Sequence, residues 1–420
     1  MLRFAPSPIG DMSIEDLRVA LFNSVIAQQK EDQFILRIED REKEKNIEGK
    51  DTEILQILEK FALPHDRVFH QSENLHIHQT LAIRLLEEER AFACSCSTQE
   101  REDIDPYSGK CSSMTDEELQ RLKEEKIPFV LRIRKPKETI KYHDLIKGDI
   151  ESPPDAVDSF IILDADGVPT YNFACACDDM LTGVDFIIRG EEHLYDTPKQ
   201  IYIKQLLGYD AKTTYAHLPA IENIGDQEIS QSVKSLFAQG YIPDAIINYL
   251  LQLGYETPKD IFTLPEALEW FSLEDIAKTP AKFDREKLRS LNREHIKMMD
   301  NRTLSMLFGF ADIAIGQLAK SYLAEASTLN ELDDKIKAIF APKVFDGTWG
   351  EQMQRLRDII FQAKPIDDFD AFERFLKQES QLIGEEFSQS LRILLTGTDH
   401  GPELRDIYPH IKSYLLEIAS

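Results

Sequence analysis

The sequence is short of positive charge, of cysteine and of long apolar runs. Lys and Arg total 49 against 75 Asp and Glu, a formal net charge of −26. That excludes a broadly basic nucleic-acid surface, because such a surface needs clustered cations. A local basic groove on an acidic protein is still allowed, with weak non-specific binding. Five cysteines in 420 residues, two of them as Cys94-x-Cys96, do not make a disulfide framework. A reducing compartment is the expectation. No run of 18 apolar residues occurs, and the N-terminal stretch carries Arg3 and prolines in place of an apolar h-region. These absences predict a cytoplasmic chain with no membrane partner. Internal repeats and low-complexity linkers are also lacking.

The remaining composition is that of a folded protein, 42% hydrophobic and 30% charged. Its length predicts two or three domains with a sizeable core. The most informative stretch is Arg3-Phe-Ala-Pro-Ser-Pro-Ile-Gly-Asp-Met-Ser-Ile-Glu-Asp-Leu-Arg18. It reads as a short strand, a bend and a helix. Leu17, Ala20, Leu21 and Val25 give the helical period. Pro6, Pro8 and Gly10 force the bend. A strand entering a helix N-terminus is a natural anion site. Many α/β proteins begin this way, so the stretch alone is weak evidence.

Further along, Phe34 to Asp40 reads as a buried strand carrying Glu39 and Asp40 at its carboxyl end, where open α/β sheets bind ligands. Residues 51–61 and 79–93 read as helices, and 117–126 as a charged helix with a solvated face. Residues 127–141 and 159–163 are rich in β-formers, 164–167 form a turn, and 186–189 read as a strand. Beyond about residue 240 the pattern is mostly helical. Trp270 and the periodic Phe residues read as core. His65, His70, His76 and His78 show no metal spacing and read as surface. His217 is open between a site residue and a satisfied core histidine.

Arg3 to Pro8 resembles the opening of the bacterial glutamyl-tRNA synthetases, class I enzymes. So do Arg37-Ile-Glu-Asp40, Tyr171-Asn-Phe-Ala174, Arg189-Gly-Glu-Glu-His193, His217-Leu-Pro219, Pro280-Ala-Lys-Phe-Asp284 with Leu291-Asn292, and Leu394-Leu-Thr-Gly397 with Gly401-Pro402. The run from Tyr171 to Asp179 is most similar to the second, non-discriminating-lineage type, found in bacteria that carry two such enzymes. The resemblance implies a Rossmann-type α/β catalytic domain in two halves, 1–90 and 189–240. An acceptor-stem-binding domain at 91–188 would interrupt it. A helical stem-contact domain at 241–310 and an all-helical anticodon-binding domain at 311–420 would follow. It implies ATP-dependent attachment of glutamate to tRNA of the Glu or Gln type, by a monomer using ATP with Mg.

The resemblance also assigns residues. Arg3 would hold the substrate side-chain carboxylate, with Ser7 beside it. Glu39 would meet the α-ammonium, and Tyr171, Arg189 and His193 would complete the pocket. A guanidinium fork suits a carboxylate; the alternative is that Arg3 and Glu39 simply pair with each other. One polar family position in this pocket is Cys175. The two ATP signatures depart from the family. In the first, His-Ile-Gly becomes Ser13-Ile14-Glu15, with Asp16 next. In the second, Lys-Met-Ser-Lys-Arg, Ser230 and Gln231 stand in a shortened loop. Glu15 and Asp16 would repel a triphosphate, or would serve only as favourable acidic residues at a helix start. Weakened adenylation is therefore expected, or an inactive paralogue that binds tRNA or glutamate as a regulator or partner subunit. Finally, Cys94, Cys96, Tyr107 and Cys111 supply three sulfurs and one oxygen, enough for a tetrahedral site. The family's structural zinc uses the same Cys-x-Cys and Tyr-x₃-Cys spacing.

Overall fold

The computed structural model describes residues 1–96, 107, 109–222 and 232–420. It divides into two compact units. One comprises Met1–Lys234 with Leu250–Phe283, and the other Ser235–Tyr249 with Asp284–Ser420.

The first unit is built on a seven-stranded sheet. Strand β1 (Leu2–Phe4) leads through α1 (Ile14–Lys30) to β2 (Phe34–Ile38), then through α2 (Lys50–Lys60) to β3 (Arg67–His70). These three strands pair in parallel. Every residue of β1 and β2 is buried, as expected of parallel strands covered on both faces. Helix α3 (Leu75–Glu87) then leads to β4 (Ala91–Cys94). The expected helix over 79–93 therefore ends early: β-branched and aliphatic neighbours at Val130 to Ile133 offer the Ala91–Cys94 backbone a ladder instead.

Next come α4 (Asp116–Glu124), β5 (Val130–Ile133), β6 (Ile140–Asp144), β7 (Gly148–Ser152) and β8 (Ile161–Leu163). Strands β4, β5 and β8 form a separate antiparallel sheet. The β6–β7 hairpin, although it lies between β5 and β8 in sequence, joins the large sheet. Helix α5 (Tyr171–Thr182) and β9 (Phe186–Gly190) bring the chain back beside β1. Helix α6 (Thr197–Leu206) leads to β10 (Thr214–Leu218), and the order is β3-β2-β1-β9-β10-β6-β7. All pairs are parallel except β6–β7. The β1–β9 neighbours are where the chain reverses its direction across the sheet. In open α/β sheets the ligand crevice lies outside the strand carboxyl ends at that switch point. Here those ends are Phe4 and Gly190. Short strands β11 (Ile221–Glu222) and β12 (Ala281–Lys282) pair in parallel in the same unit.

The second unit is helical among the described residues. Helices such as Arg285–Met298, Leu329–Phe340, Gly350–Gln362 and Gly384–Thr396 close on one core containing Leu332, Leu356, Phe387 and Tyr408. The sequence motifs here have structural roles. Asn292 accepts from the Ile242 N–H at 2.9 Å and donates to the Ser327 carbonyl at 2.7 Å. Gly397 ends its helix at φ +75°, and a side chain there would meet the Ala338 carbonyl oxygen at 2.4 Å.

Candidate functional site

A small cavity of about 70 Å³ opens at the β1–β9 switch point, lined by Arg3, Arg37, Glu39, Tyr171, Arg189 and His193 among others. Five of the six residues assigned to the amino-acid pocket meet here. Ser7 is exposed in the bend after β1 and is not among the lining residues.

Arg3 and Glu39 do not pair with each other. Arg3 Nε lies 3.4 Å from Asp179 Oδ1, and Arg37 Nη1 lies 2.5 Å from the same oxygen. Glu39 accepts from Arg37 Nη2 at 3.0 Å and from Cys175 Sγ at 3.1 Å. Burial would raise the Asp179 carboxyl, but Arg37, Arg3 and Lys204 outweigh it and hold the group far below the ordinary carboxylate range. Cys175 is driven the other way, by burial and then by the charge of Glu39, so its thiol stays protonated and donates. Cys175 and Cys177 lie on helix α5. Both are buried because the helix is covered on every side from Phe173 to Asp179.

The other guanidinium is held as firmly. Arg189 donates to Gln200 Oε1 at 3.0 Å, Thr197 Oγ1 at 2.6 Å and His217 Nε2 at 3.2 Å. An arginine can only donate, so His217 Nε2 carries no proton. Its Nδ1–H then donates to Asp144 at 2.6 Å. Burial, with Arg189 beside it, takes His217 down to about 4. Burial would raise Asp144, but bonds from His217 and from the backbone of Lys147 and Ile146 keep it ionised below its ordinary value. His217 is thus a satisfied buried histidine that also braces a site residue. Tyr171 stacks on His193 at 5.4 Å, and His193 Nδ1 lies 3.0 Å from Asp196.

Sequence reasoning missed Asp179, Lys204, Asp144, Thr197 and Gln200. One signal was available: two adjacent carboxylates, Asp178 and Asp179, end an apolar helical run. Such charges are buried only with partners. The reading of His78 as surface also fails. His78 is fully buried, with Nε2 2.8 Å from Asp178. His70 is part-buried against Asp40 at 3.1 Å. In both cases a carboxylate offers the ring a partner that period alone does not reveal.

A second cavity of about 80 Å³ adjoins the N-terminus of α1, lined by Ser13, Glu15, Asp16, Arg18 and Glu192 with neighbours from Gly190 to Ala220. Ser13 is the helix cap. Its hydroxyl accepts from the Asp16 N–H at 3.0 Å, and Asp16 accepts from the Ser13 N–H at 3.0 Å. Glu15 accepts from the Ile221 N–H at 2.8 Å. Arg18 is buried, and its guanidinium is committed to the carbonyls of Pro219 at 2.8 Å and Leu253 at 2.9 Å. Lys234 is exposed and lies 3.7 Å from Glu53. Ser230 and Gln231 lie outside the described residues.

The cysteine site assembles. Cys94, Cys96 and Cys111 are buried with their sulfurs within 4.8 Å of one another. Cys96 and Cys111 are 3.5 Å apart, and Cys94 lies 3.7 Å from the Tyr107 hydroxyl. A tetrahedral ion with bonds of about 2.3 Å to sulfur needs sulfur–sulfur edges of about 3.8 Å. The donor set therefore fits zinc in chemistry and in size. Burial and the two neighbouring sulfurs push the Cys96 thiol up to about 12, a crowding that a cation would reverse.

Residues 1–290 match the family model described as "tRNA synthetases class I (E and Q), catalytic domain". The chain is 61% identical to the "Glutamate--tRNA ligase 2" of a Sulfurovum species and 50% identical to the "Glutamate--tRNA ligase 1" of a Nitratiruptor species, over the whole of each chain. Its fold is similar to the glutamate tRNA ligase from Elizabethkingia meningosepticum crystallised with its amino acid. That match has a TM-score of 0.82 at 24% identity, covering all of this chain and 98% of the other.

Proposed function

This chain belongs to the class I tRNA synthetases of the glutamate and glutamine group, and we propose that it is a glutamate–tRNA ligase by descent with severely weakened adenylation. Arg3 would take the substrate side-chain carboxylate and Glu39 its ammonium. Tyr171, Arg189 and His193 would shape the pocket. ATP with Mg would be the second substrate, and tRNA of the Glu or Gln type the third. Residues 1–90 and 189–240 would form the catalytic domain and 91–188 the acceptor-binding insertion. Residues 241–310 would contact the tRNA stem and 311–420 the anticodon. Cys94, Cys96, Tyr107 and Cys111 would hold a structural zinc. Among the described residues no helix is long and apolar enough to cross a membrane. The proposed enzyme would be cytoplasmic and monomeric.

The observation that carries the impairment is the sign of charge beside α1. Activating a carboxylate with ATP builds negative charge on the departing pyrophosphate, and catalysis rests on donors aimed at it. The cavity there presents Glu15, Asp16 and Glu192. Its one lining arginine, Arg18, already serves two backbone carbonyls. Like charges a few Å apart cost roughly 1–4 kcal/mol per pair. Losing one phosphate-stabilising donor lowers rate by about 10²–10³. The same observation supports the second reading, a tRNA- or glutamate-binding paralogue that does not adenylate.

Glutamate-dependent ATP–pyrophosphate exchange, with and without tRNA, is the test. We expect a rate about 100-fold or more below an ordinary member of the family. The Ser13→His, Glu15→Gly double variant should bind ATP better and recover rate only in part. An unmodified protein that charges tRNA at an ordinary rate would refute this reading. Preference for tRNA over unrelated RNA of equal length, in filter binding at low salt, would keep the RNA-binding half. For the metal, protein purified without chelator should carry about one zinc per chain; near-zero zinc sinks the assignment, and Cys94→Ser should loosen the β4-β5-β8 sheet first.

A further inference from the structure

A third cavity, of about 470 Å³, lies away from the switch point, between the β6–β7 edge of the large sheet and α6. Lys204 and Tyr209 line it together with Lys141, Tyr142, Lys212 and Thr214. Lys204 is 4% exposed, and its ammonium has no hydrogen-bond partner among the described residues. Its nearest anion is Asp179 Oδ2 at 4.0 Å, an oxygen that also lacks a hydrogen-bond partner. Its ammonium lies 5.9 Å from the Tyr209 ring centre. Tyr142 meets the buried Tyr215 edge to face at 5.4 Å.

Arg3, Arg37 and Lys204 share one carboxylate, Asp179, while Glu39 also pairs with Arg37 and buried Asp178 acts on it. Lys204 is the cation of this set left without a hydrogen bond. Arg3 lines the switch-point cavity and Lys204 lines this one. A buried ammonium without full hydrogen bonding is costly, so an anion entering beside Lys204 would relieve it. Lys212 and the Thr214 hydroxyl add donors, and Tyr142 and Tyr209 offer apolar surface beside them. Two basic groups on the rim are answered already, Lys141 by Glu151 at 2.7 Å and His143 by Asp149 at 2.6 Å, and Asp210 also stands on the rim. That leaves Lys204 and Lys212 as the cations facing a ligand, enough for one phosphate and not for a polyphosphate.

We infer that this cavity binds a small phosphate monoester of the mononucleotide class, through Lys204 and Lys212, and that its occupancy weakens anion binding at Arg3. The two anions would act on cations that share Asp179, so the coupling is antagonistic and reciprocal.

The experiment uses the full chain. Calorimetry compares adenosine monophosphate, inorganic phosphate and adenosine, and photolabelling with 8-azidoadenosine monophosphate locates the ring. We expect adenosine monophosphate to bind, the label to fall on the 204–215 peptide, and glutamate affinity to drop about fivefold or more when the nucleotide is present. Lys212→Glu, on the exposed rim and outside the buried network, should abolish that binding and restore glutamate affinity. Lys204→Met should do the same for binding. Inorganic phosphate competing as strongly as the nucleotide would assign the site to free phosphate and overturn the mononucleotide class. Adenosine binding as well as its phosphate, a label elsewhere, or nucleotide binding unchanged in Lys212→Glu would overturn the site itself.

Discussion

Two adjoining cavities at the same end of one sheet share Asp16 and Glu192 in their lining and differ in the cations that face them. The cavity at β1–β9 is walled by guanidinium groups locked in place by buried acceptors: Arg3 and Arg37 by Asp179, and Arg189 by Thr197, Gln200 and His217. The cavity beside α1 is walled by carboxylates that meet their needs locally, Asp16 in a helix cap and Glu15 on the Ile221 N–H. The first sets three held guanidinium groups beside Asp16, Glu39 and Glu192, the arrangement on which the proposed glutamate pocket rests. The second sets one committed arginine among three carboxylates, the arrangement on which the proposed weakness toward ATP rests. On that reading, lying at one end of a sheet is no guarantee of shared fitness for a reaction that needs both.

The sharpest way to break the contrast is Asp179→Asn. It leaves two arginines and Lys204 buried around a neutral amide. Removing one partner of a buried ion pair costs about 3–5 kcal/mol, so chemical denaturation should show a lower midpoint with little change in slope. A loss under about 1 kcal/mol would mean that the network is wet and the first cavity is not the rigid one.

A pH titration of stability sharpens it next. His217 sits at about 4 in the fold against 6.5 when exposed. A depressed value means the folded state prefers the neutral ring. Its contribution is complete above about pH 6.5 and is lost as pH falls towards 4. The shift corresponds to something on the order of 3 kcal/mol. His217→Gln should be less stable at neutral pH and should flatten the curve between pH 6.5 and 4. An unchanged slope in that window would show that the ring is not held neutral.

The smallest effect belongs to the second cavity. Ser13→Ala removes the cap hydroxyl and should cost about 1 kcal/mol of stability, with no further fall in pyrophosphate exchange. A clear further fall in exchange would give Ser13 a part in the chemistry and would erase the contrast between the two cavities.

Much of this was legible in the sequence, for identifiable reasons. The bend at Pro6, Pro8 and Gly10 fixes where β1 ends and α1 begins. The apolar run at Phe34 marks a fully buried parallel strand. The strand-end position of Glu39 followed from the same geometry, while Arg3 and Arg189 were singled out by the family resemblance and meet Glu39 at one cavity. The Cys94, Cys96, Tyr107 and Cys111 spacing carried over into one cluster. What the sequence hid was long-range pairing. Asp179 reaches Arg3 across 176 positions, and His217 reaches Asp144 across 73. No local period reports such a partner. Nor does any period reveal that β6 and β7 leave their neighbours to join the other sheet, because their alternation of buried and exposed residues suits either edge.

The double employment of the first cavity has a consequence for how this chain records its past. Asp179, Arg37, Arg189 and His217 are core residues as much as site residues, so a lineage that needed only a folded protein would retain them. Ser13, Glu15 and Asp16 stand near the surface and are free to drift once selection on the reaction relaxes. If the proposed loss of adenylation holds, ancestry is written in the buried half of the site and present use in the exposed half, because a signature that doubles as scaffold testifies to descent whether or not the reaction persists.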